Sequence, residues 1–212
     1  MAGKLCCLAA KPRHPYIAGM FIETETTPNP ASLKFLPGRP VMGQGTREFA
    51  TPEAAEASPL AQAIFDTGEV VNVFFGGDFV TVTAAPGSSW TDLKPQVLSI
   101  LLDHFVSEAP LFAAGTAAGI AVPPEDDDLL VEEHEADADI VAQINELLET
   151  RVRPAVAGDG GDIQYRGFRD GVVYLQLQGA CAGCPSSTAT LKHGIEGLLK
   201  HYVPEVVEVR AA

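Results

Sequence analysis

Two cysteines three positions apart, Cys181 and Cys184, restrict the fold and chemistry of this chain more than any other feature. A strand-like run of residues 172–178 precedes them, and a helix-like run begins directly after them at Pro185. Proline suits the first position of a helix because the N–H that it lacks would have no partner there. Cys184 is therefore expected near a helix N-terminus, where unpaired N–H groups and the helix dipole favour a thiolate.

Thiolates bind soft metals and attack disulfides, so this spacing allows several kinds of site. A CxxC pair occurs as half of a zinc site, as half of an iron–sulfur site, and as the redox pair of thioredoxin-like enzymes. The redox pair is less favoured here, because no Trp precedes Cys181 and the proline follows the motif. A purely structural role for two small buried side chains would leave the helix-end position of Cys184 without use.

The remaining cysteines, Cys6 and Cys7, lie in a stretch without signals for any fold, and we interpret them as incidental. Four-coordinate sites need four ligands, whereas the CxxC motif supplies two. The simplest way to complete four thiolates is for two copies of the chain to meet at their CxxC loops, as a twofold dimer allows. We therefore expect a homodimer that shares one site.

Three stretches of the chain carry distinctive short motifs. Residues 158–162 have the sequence GDGGD and residues 181–187 have the sequence CAGCPSS. Both are similar to the C-terminal domain of the Nfu/NifU family of iron–sulfur proteins. Residues 27–35, with the sequence TPNPASLKF, are similar to its N-terminal domain. The resemblance extends from about residue 20 to residue 210, and motifs from both domains in this order are specific, whereas CxxC alone is not.

The resemblance implies a function that the residues alone leave open. In that family the two cysteines, here Cys181 and Cys184, hold a [4Fe–4S] cluster across a homodimer, and the cluster passes to apo iron–sulfur proteins. It implies a carrier supplied by an upstream assembly scaffold, and not an enzyme. Two alternatives use the same cysteines: a thiol–disulfide oxidoreductase, and a module with a shared structural zinc.

Charge and cysteine content restrict the partners and the compartment. Fourteen Lys and Arg against 28 Asp and Glu give a formal charge of −14, which disfavours nucleic acid, because phosphates need basic partners. The sequence offers no apolar stretch long enough for a membrane span. Few cysteines in a metal-type spacing favour a reducing compartment. We expect the bacterial cytoplasm, with the mitochondrial matrix as the alternative.

The 212 residues allow two small domains, each with its own core. We predict an α+β fold in which each domain is a short, mostly antiparallel sheet packed with helices. Residues 1–19 form an extension or a targeting segment, residues 20–112 the N-terminal domain, and residues 137–212 the cluster-binding domain. Residues 113–136 are a flexible acidic linker, since charges of one sign repel and extend a chain.

Hydrophobic periodicity places the elements of the N-terminal domain. Strands are predicted at residues 20–26, 32–36, 70–75 and 79–83, and helices at 58–66 and 90–108. The aromatic residues of this region are assigned to the core and not to a ligand pocket: Phe74, Phe75, Phe79 and Trp90. His104 is interpreted as a packed or edge histidine.

In the C-terminal domain the periodicity predicts a helix at residues 137–153 that Pro154 ends. A tight glycine turn at 159–162 and a hairpin of strands 163–168 and 172–178 follow. A helix from Pro185 to Tyr202 and a strand at 205–209 complete the domain. The inward face of this last helix is predicted to hold Thr188, Leu191, Ile195, Leu198 and Tyr202; His193 lies too far from Cys184 to be a ligand.

Overall fold

The computed structural model of the chain describes residues 21–113, 137–182 and 185–211, with side chains from residue 190 onward in the last range. Within these ranges the chain forms two α+β domains, each with one sheet, which confirms the predicted fold class. The predicted extension, all but the first residue of the predicted linker, and Cys6, Cys7 and Cys184 lie outside the described residues.

The N-terminal domain is built on a five-stranded antiparallel sheet with the strand order β1-β2-β5-β4-β3. Two of its strands, β2 and β4, have the predicted bounds, and the three-residue strand β3 was not predicted because it is too short for a pattern of alternation. The strands are β1 (Glu23–Thr26), β2 (Ser32–Leu36), β3 (Arg47–Phe49), β4 (Val70–Phe75) and β5 (Val80–Ala84).

Three helices cover one face of this sheet: α1 (Pro52–Ala55), α2 (Pro59–Phe65) and α3 (Trp90–Val106). The Ser58 hydroxyl accepts a hydrogen bond from the Ala61 N–H at 3.3 Å, so α2 starts at a serine cap as its sequence indicates. Leu93, Val97, Leu101 and Phe105 recur at helical spacing along α3 and are buried, whereas Ile100 is partly buried. Apolar side chains of the strands and helices form a single core.

The C-terminal domain is built on a three-stranded sheet with the order β6-β7-β8. Strands β6 (Gly161–Arg169) and β7 (Val172–Gly179) form the predicted hairpin, and its two-residue turn has positive φ at Asp170 and Gly171. The last strand, β8 (Glu208–Ala211), pairs with β7 in parallel. It begins three residues later than predicted.

Pro154 does not end the first helix of this domain, contrary to the prediction. Helix α4 (Ala138–Leu147) passes into a π-helical turn (Leu148–Val152), and helix α5 (Arg153–Gly158) follows without a break. The proline lies in the first turn of α5, where its missing N–H is tolerated. The wider π turn accommodates a proline that a regular helix would not.

Helix α6 (Pro185–Tyr202) has the predicted bounds, but its inward face differs from the prediction. Ile195 and Leu199 are its fully buried side chains among the described residues, whereas Leu191 and Leu198 are partly buried. Tyr202 is 46% exposed, and its ring lies under the Arg151 guanidinium at 4.9 Å. The buried face therefore contains positions 195 and 199, whereas the prediction placed 195, 198 and 202 there. Thr188 lies outside the described side chains.

The two domains contact each other through the second face of the five-stranded sheet. Phe74 and Phe79 are buried as predicted, but they lie outside the N-terminal core that contains Phe75. A Cβ on Gly179 of β7 would meet the Phe74 ring at 3.0 Å, which places this ring against the C-terminal domain. Within the described ranges, none of the helices combines the length and apolarity of a membrane span.

Candidate functional site

Cys181 lies two residues after the end of β7, in the turn that leads toward α6. The residue is 3% exposed and belongs to the apolar core of the C-terminal domain. Backbone hydrogen bonds on both sides fix its position: the Ala180 N–H donates to the Gly160 carbonyl at 3.2 Å, and the Ala182 N–H donates to the Gly179 carbonyl at 3.1 Å. The first cysteine of the motif is therefore held inward.

Glycines make this close packing of Cys181 feasible. Gly179 has φ +66°, and a Cβ there would lie 2.8 Å from the Gly160 carbonyl oxygen. A Cβ on Gly161 would lie 3.0 Å from the Cys181 Sγ. Side chains at either position would push the end of β7 away from the GDGGD segment, so both glycines are needed for this geometry.

An open groove of about 470 Å³ reaches Cys181. Helices α5 and α6 and the π turn supply most of its apolar walls, and Pro28 of the N-terminal domain borders it. The Arg151 and Asp159 side chains are its charged components. A soft thiol at the border of an apolar groove suits a soft metal or a cluster better than a hard cation.

The structure describes some of the other predicted site residues and not all of them. Cys184 lies outside the described residues, but Pro185 begins α6 as predicted, so the second cysteine directly precedes a helix N-terminus. His193 is exposed on α6. His104 is half-buried beside Phe105, as predicted; burial and the nearby Arg39 lower its pKa. Among the described residues, His, Cys, Asp and Glu do not form a group of three that could hold a metal ion.

The GDGGD segment forms a turn that is shorter than predicted. Gly160 has φ +82°, which explains its need for glycine, but Gly161 and Asp162 already belong to β6. The buried Asp162 carboxylate accepts a hydrogen bond from the Thr46 hydroxyl at 2.8 Å and lies 3.4 Å from the Arg153 Nε. These contacts fix the turn between the two domains.

Residues of the N-terminal domain that were not predicted from the sequence also reach this site. The Asn29 amide donates to the Ala180 carbonyl at 3.2 Å, directly before Cys181. Its other amide atom, Oδ1, accepts from the Ala31 N–H at 3.0 Å, so a local turn orients the side chain. The prolines and asparagine of the TPNP stretch favour a turn, but nothing in its sequence indicates a partner 151 residues away.

Glu48 on β3 makes a second contact that was not predicted. Its Oε1 accepts from the Gly179 N–H at 2.9 Å and from the Asn72 amide at 2.8 Å. Burial raises the pKa of the Glu48 carboxyl above its ordinary value, and the two hydrogen bonds oppose part of that rise. The Glu48 carboxylate thus bonds to both domains at once, which favours one fixed arrangement of the two domains.

Comparison with known proteins assigns both domains. Residues 144–210 match the family model described as "NifU-like domain", and residues 22–108 match "Scaffold protein Nfu/NifU N terminal". The chain is 50% identical to NifU-like protein 5, mitochondrial, of Arabidopsis thaliana over 88% of its own length and 66% of that protein's.

Two further relatives give the same result. The chain is 51% identical to NifU-like protein 4, mitochondrial, of Arabidopsis thaliana, over 88% of this chain and 64% of that protein. It is 48% identical to the human NFU1 iron–sulfur cluster scaffold homolog, mitochondrial, over 91% of this chain and 72% of that protein. The chain thus spans slightly less than two thirds of each plant relative.

Proposed function

The chain belongs to the Nfu/NifU family, and we propose from this that it is a carrier of iron–sulfur clusters. Cys181 and Cys184 of two subunits hold a [4Fe–4S] cluster as cargo, and the cluster passes to apo-proteins. The observation that carries the proposal is the position of Cys181, between the end of β7 and the start of α6, at the border of an apolar groove. Thiolate ligands suit iron–sulfur clusters.

Sharing the cargo between subunits accounts for its release. One chain supplies two ligands from its CxxC motif, so each subunit holds half of the cluster. Cysteines of an acceptor can then replace these ligands one after another, and no chemical bond within a substrate needs to break. The chain therefore acts as a carrier and not as an enzyme. Upstream, a cluster assembly scaffold supplies the cargo.

The same reasoning extends to the place where the protein works. The three relatives compared above are mitochondrial by name. They support the mitochondrial matrix, the alternative compartment expected from the sequence, and they give no support to a bacterial cytoplasm. The matrix is also a reducing compartment in which thiolates persist.

Anaerobic reconstitution with iron and sulfide tests the proposed function. The wild-type chain is expected to form a brown dimer with four irons and four sulfides per dimer. Cys181→Ser and Cys184→Ser each remove two ligands from the dimer, so each is expected to abolish stable binding while circular dichroism stays unchanged. The matched control is the Cys6→Ser/Cys7→Ser double variant, which should keep the full iron content.

Several outcomes would contradict the proposal. A colourless protein that exchanges disulfides, with unequal effects of the two single variants, would indicate an oxidoreductase. A colourless protein with zinc would indicate a structural site. A monomer that carries a full cluster in analytical ultracentrifugation would exclude sharing between subunits.

A further inference from the structure

Four side chains form one continuous row across the N-terminal sheet, on the face opposite to the helices. Glu48 on β3 is the cross-strand partner of Phe74 on β4, Phe74 is the partner of Thr81 on β5, and Thr81 is the partner of Lys34 on β2. Alternation along a strand turns their neighbours toward the core. We call Glu48, Phe74, Thr81 and Lys34 the docking row.

Each polar member of the docking row binds the backbone either of the GDGGD segment or of Gly179, at the end of β7. Glu48 accepts from the Gly179 N–H, the Thr81 hydroxyl donates to the Gly160 carbonyl at 2.7 Å, and the Lys34 Nζ donates to the Gly158 carbonyl at 3.2 Å. The Gly160 carbonyl also accepts from the Ala180 N–H. Thr81 thus contacts the same carbonyl that fixes the end of β7.

Asn29 completes the hold on the residue before Cys181. The N–H of Ala180 donates to Gly160, and its carbonyl accepts from Asn29, so both backbone polar groups of Ala180 are bonded. Asn29 belongs to the TPNPASLKF stretch and Ala180 adjoins the CAGCPSS stretch. The first of these stretches therefore bonds to the residue that directly precedes the second one and its first cysteine.

These contacts form a specific interface and not a chance approach. Asn29, Lys34 and Thr81 are 8%, 7% and 1% exposed, and buried polar groups are costly unless they are bonded. Lys34 also pairs with Glu25 at 3.3 Å and lies 4.8 Å from the centre of the Phe79 ring. At Gly160, a Cβ would meet the Thr81 Oγ1 at 3.0 Å, so glycine is required for the domains to approach.

We propose that the docking row and Asn29 are an interaction surface for this chain's own cysteine-bearing edge, and that they hold Cys181 in its buried position. Asn29 and Glu48 are positioning residues: they bind the backbone of Gly179 and Ala180 and not the thiol. A cysteine that serves a second subunit must turn outward, so Cys181 becomes available when the domains separate. This last step rests on the proposed function; the hold on Cys181 does not.

If docking of the domains keeps Cys181 buried, the rate at which the Cys181 thiol reacts measures how often the domains separate. A buried thiol reacts only from conformations that expose it, so its rate follows the free energy of local opening. Weakening the interface raises the open fraction, and the loss of one net hydrogen bond is expected to raise the rate roughly fivefold. Iron plays no part in this measurement.

The experiment uses the full-length apo-protein with Cys6, Cys7 and Cys184 replaced by Ser, so that Cys181 is the single thiol to react with iodoacetamide. Asn29→Ala and Glu48→Ala are expected to raise the alkylation rate about fivefold each. Glu48→Gln keeps an acceptor for the Gly179 N–H and is expected to react as slowly as the parent. Gln96→Ala, an exposed change on α3, is the control for a mutation in the same domain.

Fluorescence of Trp90, the single tryptophan of the chain, reports whether the N-terminal domain remains folded. If Glu48→Ala unfolds it, Thr81→Val decides instead: it removes the bond to Gly160 but keeps the side-chain volume, and a rise of similar size is expected. Equal alkylation rates in all folded variants would overturn the proposal. A Glu48→Gln rate as high as that of Glu48→Ala would overturn the positioning role of Glu48.

A different result would refute the proposed function. A wild-type chain that takes up no iron would refute the carrier, and the alkylation series would still decide whether the N-terminal domain holds Cys181.

Discussion

The two faces of the five-stranded sheet are both buried, yet they are built differently. The face toward the helices carries apolar side chains such as Phe35, Phe75 and Val82. The face toward the C-terminal domain carries the docking row, in which an aromatic ring lies among a carboxylate, a hydroxyl and an ammonium group. Burial alone therefore does not identify a permanent core. A face whose polar groups have their partners on another domain resembles an interface between domains more than it resembles a permanent core.

Two adjacent phenylalanines give the strongest test of this difference. Phe75→Ala leaves a cavity in the core and is expected to lower the unfolding free energy of the N-terminal domain by about 3–5 kcal/mol. Phe74→Ala changes the same residue type, and both side chains are 0% exposed. Its cost is expected to be about half as large or less, because the C-terminal domain can shift to fill the space. Urea unfolding followed by Trp90 fluorescence measures both, and equal losses would show that the two faces are equivalent.

Substitution of two glycines with positive φ distinguishes the cost of backbone strain from the cost of disturbed docking between the domains. Gly38 has φ +70° with nothing within 4 Å of an added Cβ, whereas Gly160 has φ +82° and would meet Thr81. Gly38→Ala is expected to cost about 1 kcal/mol from the backbone alone. Gly160→Ala should cost more and should also speed alkylation of Cys181, which Gly38→Ala should leave unchanged. If Cys181 is alkylated equally slowly in both variants, the contact of the GDGGD turn with the N-terminal domain does not control the exposure of Cys181.

The smallest expected effect concerns the charge of Glu48. Because burial raises the pKa of its carboxyl in the folded chain above 4.5, the folded state binds more protons than the unfolded state between these two pKa values. Stability from this group is present below the unfolded pKa and is lost as pH rises through the folded pKa. Glu48→Gln lacks this titration. The unfolding free energy of Glu48→Gln should therefore gain on that of the wild type as the pH rises above the ordinary pKa of a glutamate, 4.5. A constant difference would contradict the assignment.

Local patterns were sufficient to predict most elements of the fold. Strands β2 and β4 and helix α6 have their predicted bounds because alternation, helical spacing and Pro185 are local signals. The π turn before Arg153 was not predictable, because no residue type marks a widened turn. The burial of Tyr202 was wrongly predicted, because helical spacing shows which residues share a face and not how far the rest of the domain covers that face.

The site was predicted only in part. The position of Cys181 between a strand and a helix followed from its neighbours in sequence. The contacts of Asn29 and Glu48 did not, because they join segments 151 and 131 residues apart. One signal was available: Phe74 and Phe75 point to opposite faces of one strand, so two adjacent aromatic residues indicate a sheet that is covered on both sides.

Alternation along the strands also has a consequence for the evolution of the chain. Successive residues of β2, β4 and β5 are under different selective constraints. One set must pack against the helices, and the other must fit the cysteine-bearing edge of the C-terminal domain. The core can therefore drift without altering how the domains recognise each other. Across related sequences, Glu48, Thr81 and Lys34 are expected to covary with positions 158–160 and 179–180 more than with their own neighbours along the strand. If these residues covary instead with their neighbours along the strand, the helix-facing and the docking-row residues are not constrained separately.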